Sequence, residues 1–238
     1  MKTVNDLKVK IFADGADKAG MLDMASKPFI KGLTTNPTLM RKAGIKSYKD
    51  FALEILSEVS DKPISFEVFS DDFEEMEVQA LEIASWGENV YVKIPVMNTK
   101  QEPAYDLVAK LSNQKVKLNV TALMTNTQVK NVAERLNTSI PSYISVFAGR
   151  VADTGVDPIP QMKVAVDLIK INPKIELIWA SPRELLNIFH ADEVGCQIIT
   201  VTNDILKKLD LVGKNLEEYS LDTVKMFYND AKSAGYII

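Results

Sequence analysis

The sequence predicts an α/β protein folded as one (β/α)8 barrel of the TIM type, with an extra helix at the C-terminal end. Three observations predict it. Short apolar runs rich in β-branched residues alternate with helical stretches along the whole chain, and eight such runs are present, the number that closes a parallel barrel. The turn after the first run reads Asp14-Gly15-Ala16-Asp17, without the glycine-rich fingerprint of an open doubly wound sheet. Polar and charged residues recur where the runs end, the rim on which such barrels carry their chemistry.

The expected strands are residues 8–14, 29–33, 64–69, 90–96, 116–121, 143–147, 175–180 and 197–201. Helices are expected over 15–25, 47–59, 71–86, 101–111, 127–136, 160–171, 182–190, 204–209 and 220–234. The helix at 47–59 sets Phe51, Ile55, Leu56 and Val59 on one face. Asp71 is placed to cap the next helix, whose first turn is crowded with acids. Ser181-Pro182 reads as a helix start, and Gly235 as the stop of the last helix. Thr34-Thr35-Asn36-Pro37 reads as a polar turn, and the sixth strand as running on into Ala148-Gly149-Arg150-Val151-Ala152-Asp153. With no linker, low-complexity segment or further repeat, residues 1–238 are expected to form a single barrel domain with 220–234 as its C-terminal helix. That helix carries Leu221, Val224, Phe227 and Tyr228, which can pack on its own barrel or on a neighbouring copy, so a homo-oligomer is possible.

Composition narrows the function. A net charge of −4 with 25% charged residues lacks the basic footprint of a nucleic-acid binder, and points to a small phosphorylated ligand held in a local pocket. One cysteine, Cys196, and one histidine, His190, exclude an internal disulfide and leave almost no room for zinc sites or histidine-dependent triads. No run approaches the ~20 apolar residues that span a bilayer, and no signal peptide is recognisable, so a cytoplasmic protein without membrane contact is expected. Met21, Met24, Met40, Met76 and Met124 read as gap-filling core, and His190 as structural.

The chemistry centres on Val90-Tyr91-Val92-Lys93-Ile94-Pro95-Val96, where a lysine interrupts a run suited to burial on both faces. Desolvating an ammonium is costly, and a buried lysine escapes that cost by losing its proton, which leaves an amine able to form Schiff bases with carbonyls. The alternative is a lysine that snorkels or pairs with a carboxylate. Asp14 ends the first strand and Glu67 lies within the third, both facing the same mouth, and they can move protons without histidine; Glu67 can equally be the ion-pair partner of Lys93, and Asp14 a helix cap. Asn119 and Thr121, two residues apart, share a strand face and can bond each other. Arg150 and Arg183 lie beside serines after adjacent strands, an arrangement that suits a phosphate clamp.

The segments Ile11-Phe12-Ala13-Asp14, Gly32-Leu33-Thr34-Thr35-Asn36-Pro37, Val92-Lys93-Ile94-Pro95, Asn119-Val120-Thr121, Phe147-Ala148-Gly149-Arg150 and Ala180-Ser181-Pro182-Arg183 together resemble the transaldolase family of class I, Schiff-base-forming aldolases. The resemblance covers nearly the whole chain. It implies Lys93 as the Schiff-base lysine, Asp14 as the acid that handles the proton during carbon–carbon cleavage, and Glu67 as the carboxylate that activates water. Thr121, counted with this catalytic set, and Asn36 and Asn119 would hold that water or substrate hydroxyls; Thr35 and Phe147 would line the substrate site, and Ser145, Arg150, Ser181 and Arg183 would hold phosphate. The implied reaction moves a dihydroxyacetone unit from fructose 6-phosphate to erythrose 4-phosphate, giving sedoheptulose 7-phosphate and glyceraldehyde 3-phosphate, a step of the pentose phosphate pathway. No metal or organic cofactor is implied, because the protonated imine is the electron sink. The small branch of the family also holds fructose 6-phosphate aldolases, which release free dihydroxyacetone. Those carry glutamine where this chain has Glu67 and tyrosine where it has Phe147, so both positions are of the transferase kind. A barrel that binds sugar phosphate without turnover is the remaining alternative. Pro182 departs from the phenylalanine common in the family and bears on where Arg183 points.

Overall fold

Eight parallel strands bond in chain order and close on themselves, so the predicted (β/α)8 barrel is the fold found. The structure is a computed structural model describing residues 3–237. The strands are β1 (Lys10–Asp14), β2 (Ile30–Thr34), β3 (Ile64–Glu67), β4 (Val90–Pro95), β5 (Leu118–Leu123), β6 (Ser142–Val146), β7 (Ile175–Trp179) and β8 (Ile198–Thr202). The helices are α1 (Lys18–Ser26), α2 (Pro37–Lys42), α3 (Tyr48–Glu58), α4 (Phe73–Ala84), α5 (Tyr105–Asn113), α6 (Asn126–Ala133), α7 (Ala148–Asp153), α8 (Pro158–Ile169), α9 (Leu186–Glu193), α10 (Asn203–Leu206) and α11 (Leu216–Ala234).

Local chemistry sets most helix starts. Asp17 caps α1 by accepting from the Gly20 amide at 2.7 Å, and Asn36 with Pro37 opens α2. The cap of α4 is Asp72, not Asp71: Asp72 accepts from the Glu74 and Glu75 amides, whereas Asp71 accepts from the amide and hydroxyl of Thr99 and so ties two loops together. The helix expected from Pro182 begins instead at Leu186. Ser181 is in the left-handed region, with φ 59°, and the Asn187 side chain accepts from the Arg183 and Glu184 amides, which fixes 181–185 as a loop. Two short helices on the rim, α2 and α7, stand where a turn and a strand continuation were expected.

Helices bury one face on the outside of the sheet. In α3 this face is Phe51, Ala52 and Ile55, continued by Val59 just past its end, with Leu56 half-buried. Met21, Met24, Met40 and Met76 are core as expected, but Met124 is 39% exposed on the rim. Helix α11 starts at Leu216, earlier than expected, and none of its side chains is buried; Leu221, Val224, Phe227 and Tyr228 are all exposed. No helix among the described residues is long and apolar enough to cross a membrane.

Inside the barrel, side chains two residues apart share a face, which sorts the interior into two tiers. The lower tier is largely apolar: Phe12, Tyr91, Tyr143, Ile178 and Ile198, with Ala180 one step higher after β7, form a cluster separate from the helix-side core. In it Tyr91 and Tyr143 stack with ring centroids 4.0 Å apart, and Phe12 meets Tyr143 edge-on. Two residues on along the same strands, the upper tier is polar: Asp14, Lys93, Ser145 and Thr200, joined by Thr34, Glu67 and Asn119.

Candidate active site

The upper tier is the floor of a cavity of about 490 Å³ that opens at the C-terminal ends of the strands. At its centre Lys93 is only 6% exposed. Its Nζ donates to the Thr35 carbonyl at 3.0 Å and lies 2.9 Å from Glu67 Oε2. Strand register dictates this pairing, because Glu67, Lys93 and Asn119 are level neighbours across β3, β4 and β5. Lys93 therefore has a carboxylate within hydrogen-bonding distance and is not solitary in the barrel. Backbone bonds fix the partner: the Tyr48 hydroxyl donates to the Glu67 carbonyl at 2.8 Å and accepts from the Glu67 amide at 2.7 Å.

Asp14 faces the same floor. The Thr34 hydroxyl donates to Asp14 Oδ1 at 2.8 Å and is in turn hydrogen-bonded to the Thr200 hydroxyl. Thr34 has one proton to give, so Thr200 must be the donor to Thr34, and the three form a chain ending on the carboxylate. Burial pushes the Asp14 carboxyl above the ordinary range, while the charge of Lys93 and the Thr34 hydrogen bond pull it down. A carboxyl poised in this way, beside an amine, can take and return a proton. Asp14 does not cap α1, which Asp17 does.

Asn119 links β3, across β4, to β6 rather than bonding Thr121: its Nδ2 donates to Ser65 Oγ at 3.0 Å and its Oδ1 accepts from Ser145 Oγ at 2.7 Å. Ser145 thus belongs to the floor with Asn119. Thr121 lines the cavity, and its buried hydroxyl has no hydrogen-bond partner among the described residues, next to a bulge in β5 where Ala122 has φ 63°. Asn36 Oδ1 is used by the Leu39 amide at 3.0 Å, which leaves its Nδ2 for the cavity. Thr35 is fully buried and does not line the cavity; it touches Lys93 through its carbonyl.

The wall on the β6 and β7 side carries Phe147, Arg150, Ser181 and Arg183. The Arg150 guanidinium lies 5.9 Å from the Phe147 ring centroid. Arg183 pairs with Asp153 and its Nε donates to the Gly149 carbonyl at 3.4 Å. Two guanidinium groups and a serine, from α7 and the loop after β7, can hold a phosphate dianion. The geometry unites Lys93, Glu67, Asp14, Asn119, Ser145, Thr121, Asn36, Phe147, Arg150, Ser181 and Arg183 around one cavity, and Pro182 is buried.

A family model described as Transaldolase/Fructose-6-phosphate aldolase matches residues 11–236. The chain belongs to that family. A protein named "Probable transaldolase" from Sulfurihydrogenibium sp. (strain YO3AOP1) is 35% identical over 204 residues, covering 84% of this chain and 88% of that protein. Another of the same name from Methanococcus maripaludis (strain C5 / ATCC BAA-1333) is 32% identical over 202 residues, 84% of this chain and 89% of its own length. A crystal structure of a Burkholderia cenocepacia J2315 protein, 12% identical, superposes with a TM-score of 0.57 over 97% of this chain and 85% of that one, a likeness of fold alone.

For this member of the transaldolase family, an enzyme family, the cavity adds residues that the sequence reading left out. Thr200 and Lys42 line it, and Tyr48 braces Glu67 from α3. Thr200 was legible by alternation, since it lies two residues beyond Ile198 on β8. Tyr48 gave no local signal, because its contact with Glu67 joins residues 19 apart through tertiary packing.

Proposed function

We propose that the chain is a transaldolase that moves a dihydroxyacetone unit from fructose 6-phosphate to erythrose 4-phosphate through a Schiff base on Lys93, within the pentose phosphate pathway of the cytoplasm. The observation that carries this reading is the placement of Lys93 on the cavity floor, 2.9 Å from Glu67 and facing Asp14, below a wall bearing two arginines. Glu67 takes a proton from the Lys93 ammonium, and the freed amine attacks the C2 carbonyl of the ketose. The carbinolamine loses water to give the protonated imine. Asp14 then accepts the proton of the C4 hydroxyl as the C3–C4 bond breaks, with the electron pair flowing to the imine nitrogen to leave an enamine. Glyceraldehyde 3-phosphate departs. The enamine carbon attacks the aldehyde of erythrose 4-phosphate, Asp14 returns its proton to the new hydroxyl, and water activated by Glu67 hydrolyses the imine and restores Lys93.

The chemistry of the walls supports the roles of the remaining residues. Asn36, Asn119, Ser145 and Thr121 present amide and hydroxyl groups to the hydroxyls of the sugar or to that water. Arg150, Ser181 and Arg183 face the phosphate, and Phe147 packs beside it.

Borohydride reduction in the presence of fructose 6-phosphate tests the proposal. A dihydroxyacetone-derived mass on the peptide bearing Lys93 is expected, and its absence under turnover conditions rejects the Schiff base. Dihydroxyacetone release without an acceptor aldehyde, at a rate matching transfer, would instead mark a fructose 6-phosphate aldolase. Tight binding of the sugar phosphate with neither adduct nor product would mark a barrel that only binds.

A further inference from the structure

We propose that Asp153, at the end of α7, is a positioning residue that aims the Arg183 guanidinium at the phosphate of the substrate. This rests on the reading of Arg150 and Arg183 as phosphate ligands. The two arginines come from different segments, Arg150 from α7 and Arg183 from the loop after β7, yet the segments meet backbone to backbone. A Cβ on Gly149 would lie 1.5 Å from the Ser181 carbonyl oxygen, so α7 passes directly against the turn that launches Arg183.

Two tethers from α7 then hold that side chain. Arg183 Nη2 donates to Asp153 Oδ2, and Nε donates to the Gly149 carbonyl at 3.4 Å. A guanidinium has five N–H donors; these bonds leave the remainder of the fork for a ligand on the cavity side. The side chains of Arg183 and Asp153 are 46% and 52% exposed, and ion pairs at that exposure contribute little to stability. What the pair supplies is direction. An arginine already immobilised loses less rotamer freedom when the ligand binds. Charge is divided accordingly: Asp153 offsets that of Arg183, whereas Arg150 lies over Phe147 and has no carboxylate partner among the described residues.

The opposite role for Asp153 is that of a competitor, occupying a face of Arg183 that phosphate needs. Two variants of the full chain separate the roles. Asp153→Ala removes the acceptor, and Asp153→Asn keeps an oxygen that can accept from the same Nη2 while removing the charge. As a positioning residue, Asp153→Ala raises KM for fructose 6-phosphate and the inhibition constant of inorganic phosphate by about tenfold, consistent with the loss of one hydrogen bond to a charged group. The rise in KM exceeds the change in kcat, and Asp153→Asn restores most of the loss. Tighter phosphate inhibition in either variant, or values for Asp153→Ala within twofold of the parent, overturns the proposal. Arg183→Ala with an unchanged phosphate inhibition constant would remove the clamp reading beneath it. Borohydride labelling of Lys93 reports on the Schiff-base reading independently of both.

Discussion

Replacement of Gly149 by alanine is the sharpest test of how the clamp is built. The added Cβ would lie 1.5 Å from the Ser181 oxygen, 2.6 Å from the Ser181 carbonyl carbon and 3.4 Å from Arg183 Nε. Real contacts of this kind stay beyond 3.0 Å, so the helix and the loop must separate by about 1.5 Å. No rotamer change relieves the clash, because the obstructing atoms are backbone, and Ser181 is already in the left-handed region. Overpacking of this sort costs about 1–3 kcal/mol. For a chain of this length each kcal/mol lowers Tm by about 2–4 °C, which gives a fall of roughly 2–12 °C by differential scanning calorimetry. Displacing a substrate-holding group by ~1 Å costs about 10²-fold in rate, so kcat/KM for fructose 6-phosphate is expected to drop by that order, with most of it in KM. A Gly149→Ala protein with Tm within 1 °C and kcat/KM within about twofold of the parent would refute both the close approach and the placement of phosphate beside it.

Burial raises the Asp14 carboxyl, and an acid raised by folding contributes stability below its ordinary range that is lost as pH rises through the folded value. Asp14→Asn should therefore be more stable than the parent at pH 8, by an amount that vanishes toward pH 3.8, the ordinary value, while turnover disappears; a thermal-melt series over pH that showed the parent more stable at pH 8 would contradict this. Thr34→Val removes a hydrogen bond that lowers the Asp14 carboxyl, so the acid limb of the pH–kcat profile should move to higher pH, and a limb that stayed or moved down would remove Asp14 from that limb. Lys93→Met leaves the Glu67 carboxylate without its buried partner and should cost roughly 1–3 kcal/mol in urea unfolding, whereas Lys93→Met with Glu67→Gln should recover most of it; neither should turn over, and additive losses would argue against a coupled pair. The buried Cys196 thiol is pushed up to about 12 by desolvation, so Ellman's reagent should label it only after denaturation, and rapid labelling of native protein at pH 8 would contradict its burial.

The architecture was legible because barrel strands are read by two redundant signals, β-branched apolar runs and the polar residues that end them. Every strand was anticipated, with ends displaced by a few residues, as at β5, where the run Val116–Thr121 is found as Leu118–Leu123 because the bulge after Val120 lets the strand continue. The short helices α2 and α7 were not legible as helices. Each has six residues, too few for a periodic face, although Asn36-Pro37 is a capping signal as well as a turn pair. Within the site, alternation placed Lys93, Glu67 and Asp14 on one rim, but it could not say who pairs with whom. Asn119 was free to bond Thr121 along its own strand; register across three strands gave it Ser65 and Ser145 instead.

That cross-strand pairing explains how one lysine can stay inside a barrel. A polar tier in a packed interior survives only if its members satisfy one another, and here Lys93 has Glu67 and the Thr35 carbonyl, Asp14 has Thr34 backed by Thr200, and Asn119 has two serines. The tier rests on the stacked tyrosines below, which hold the strands that present it. Against this background the buried hydroxyl of Thr121, a residue of the cavity lining, is an exception, without a hydrogen-bond partner among the described residues. Leaving such a group unpaired costs about 1–3 kcal/mol, a departure from local consistency of the kind expected where a ligand completes the structure. A ligand hydroxyl or water that reached Thr121 would recover that cost, so the orphan that weakens the free protein would favour a bound one.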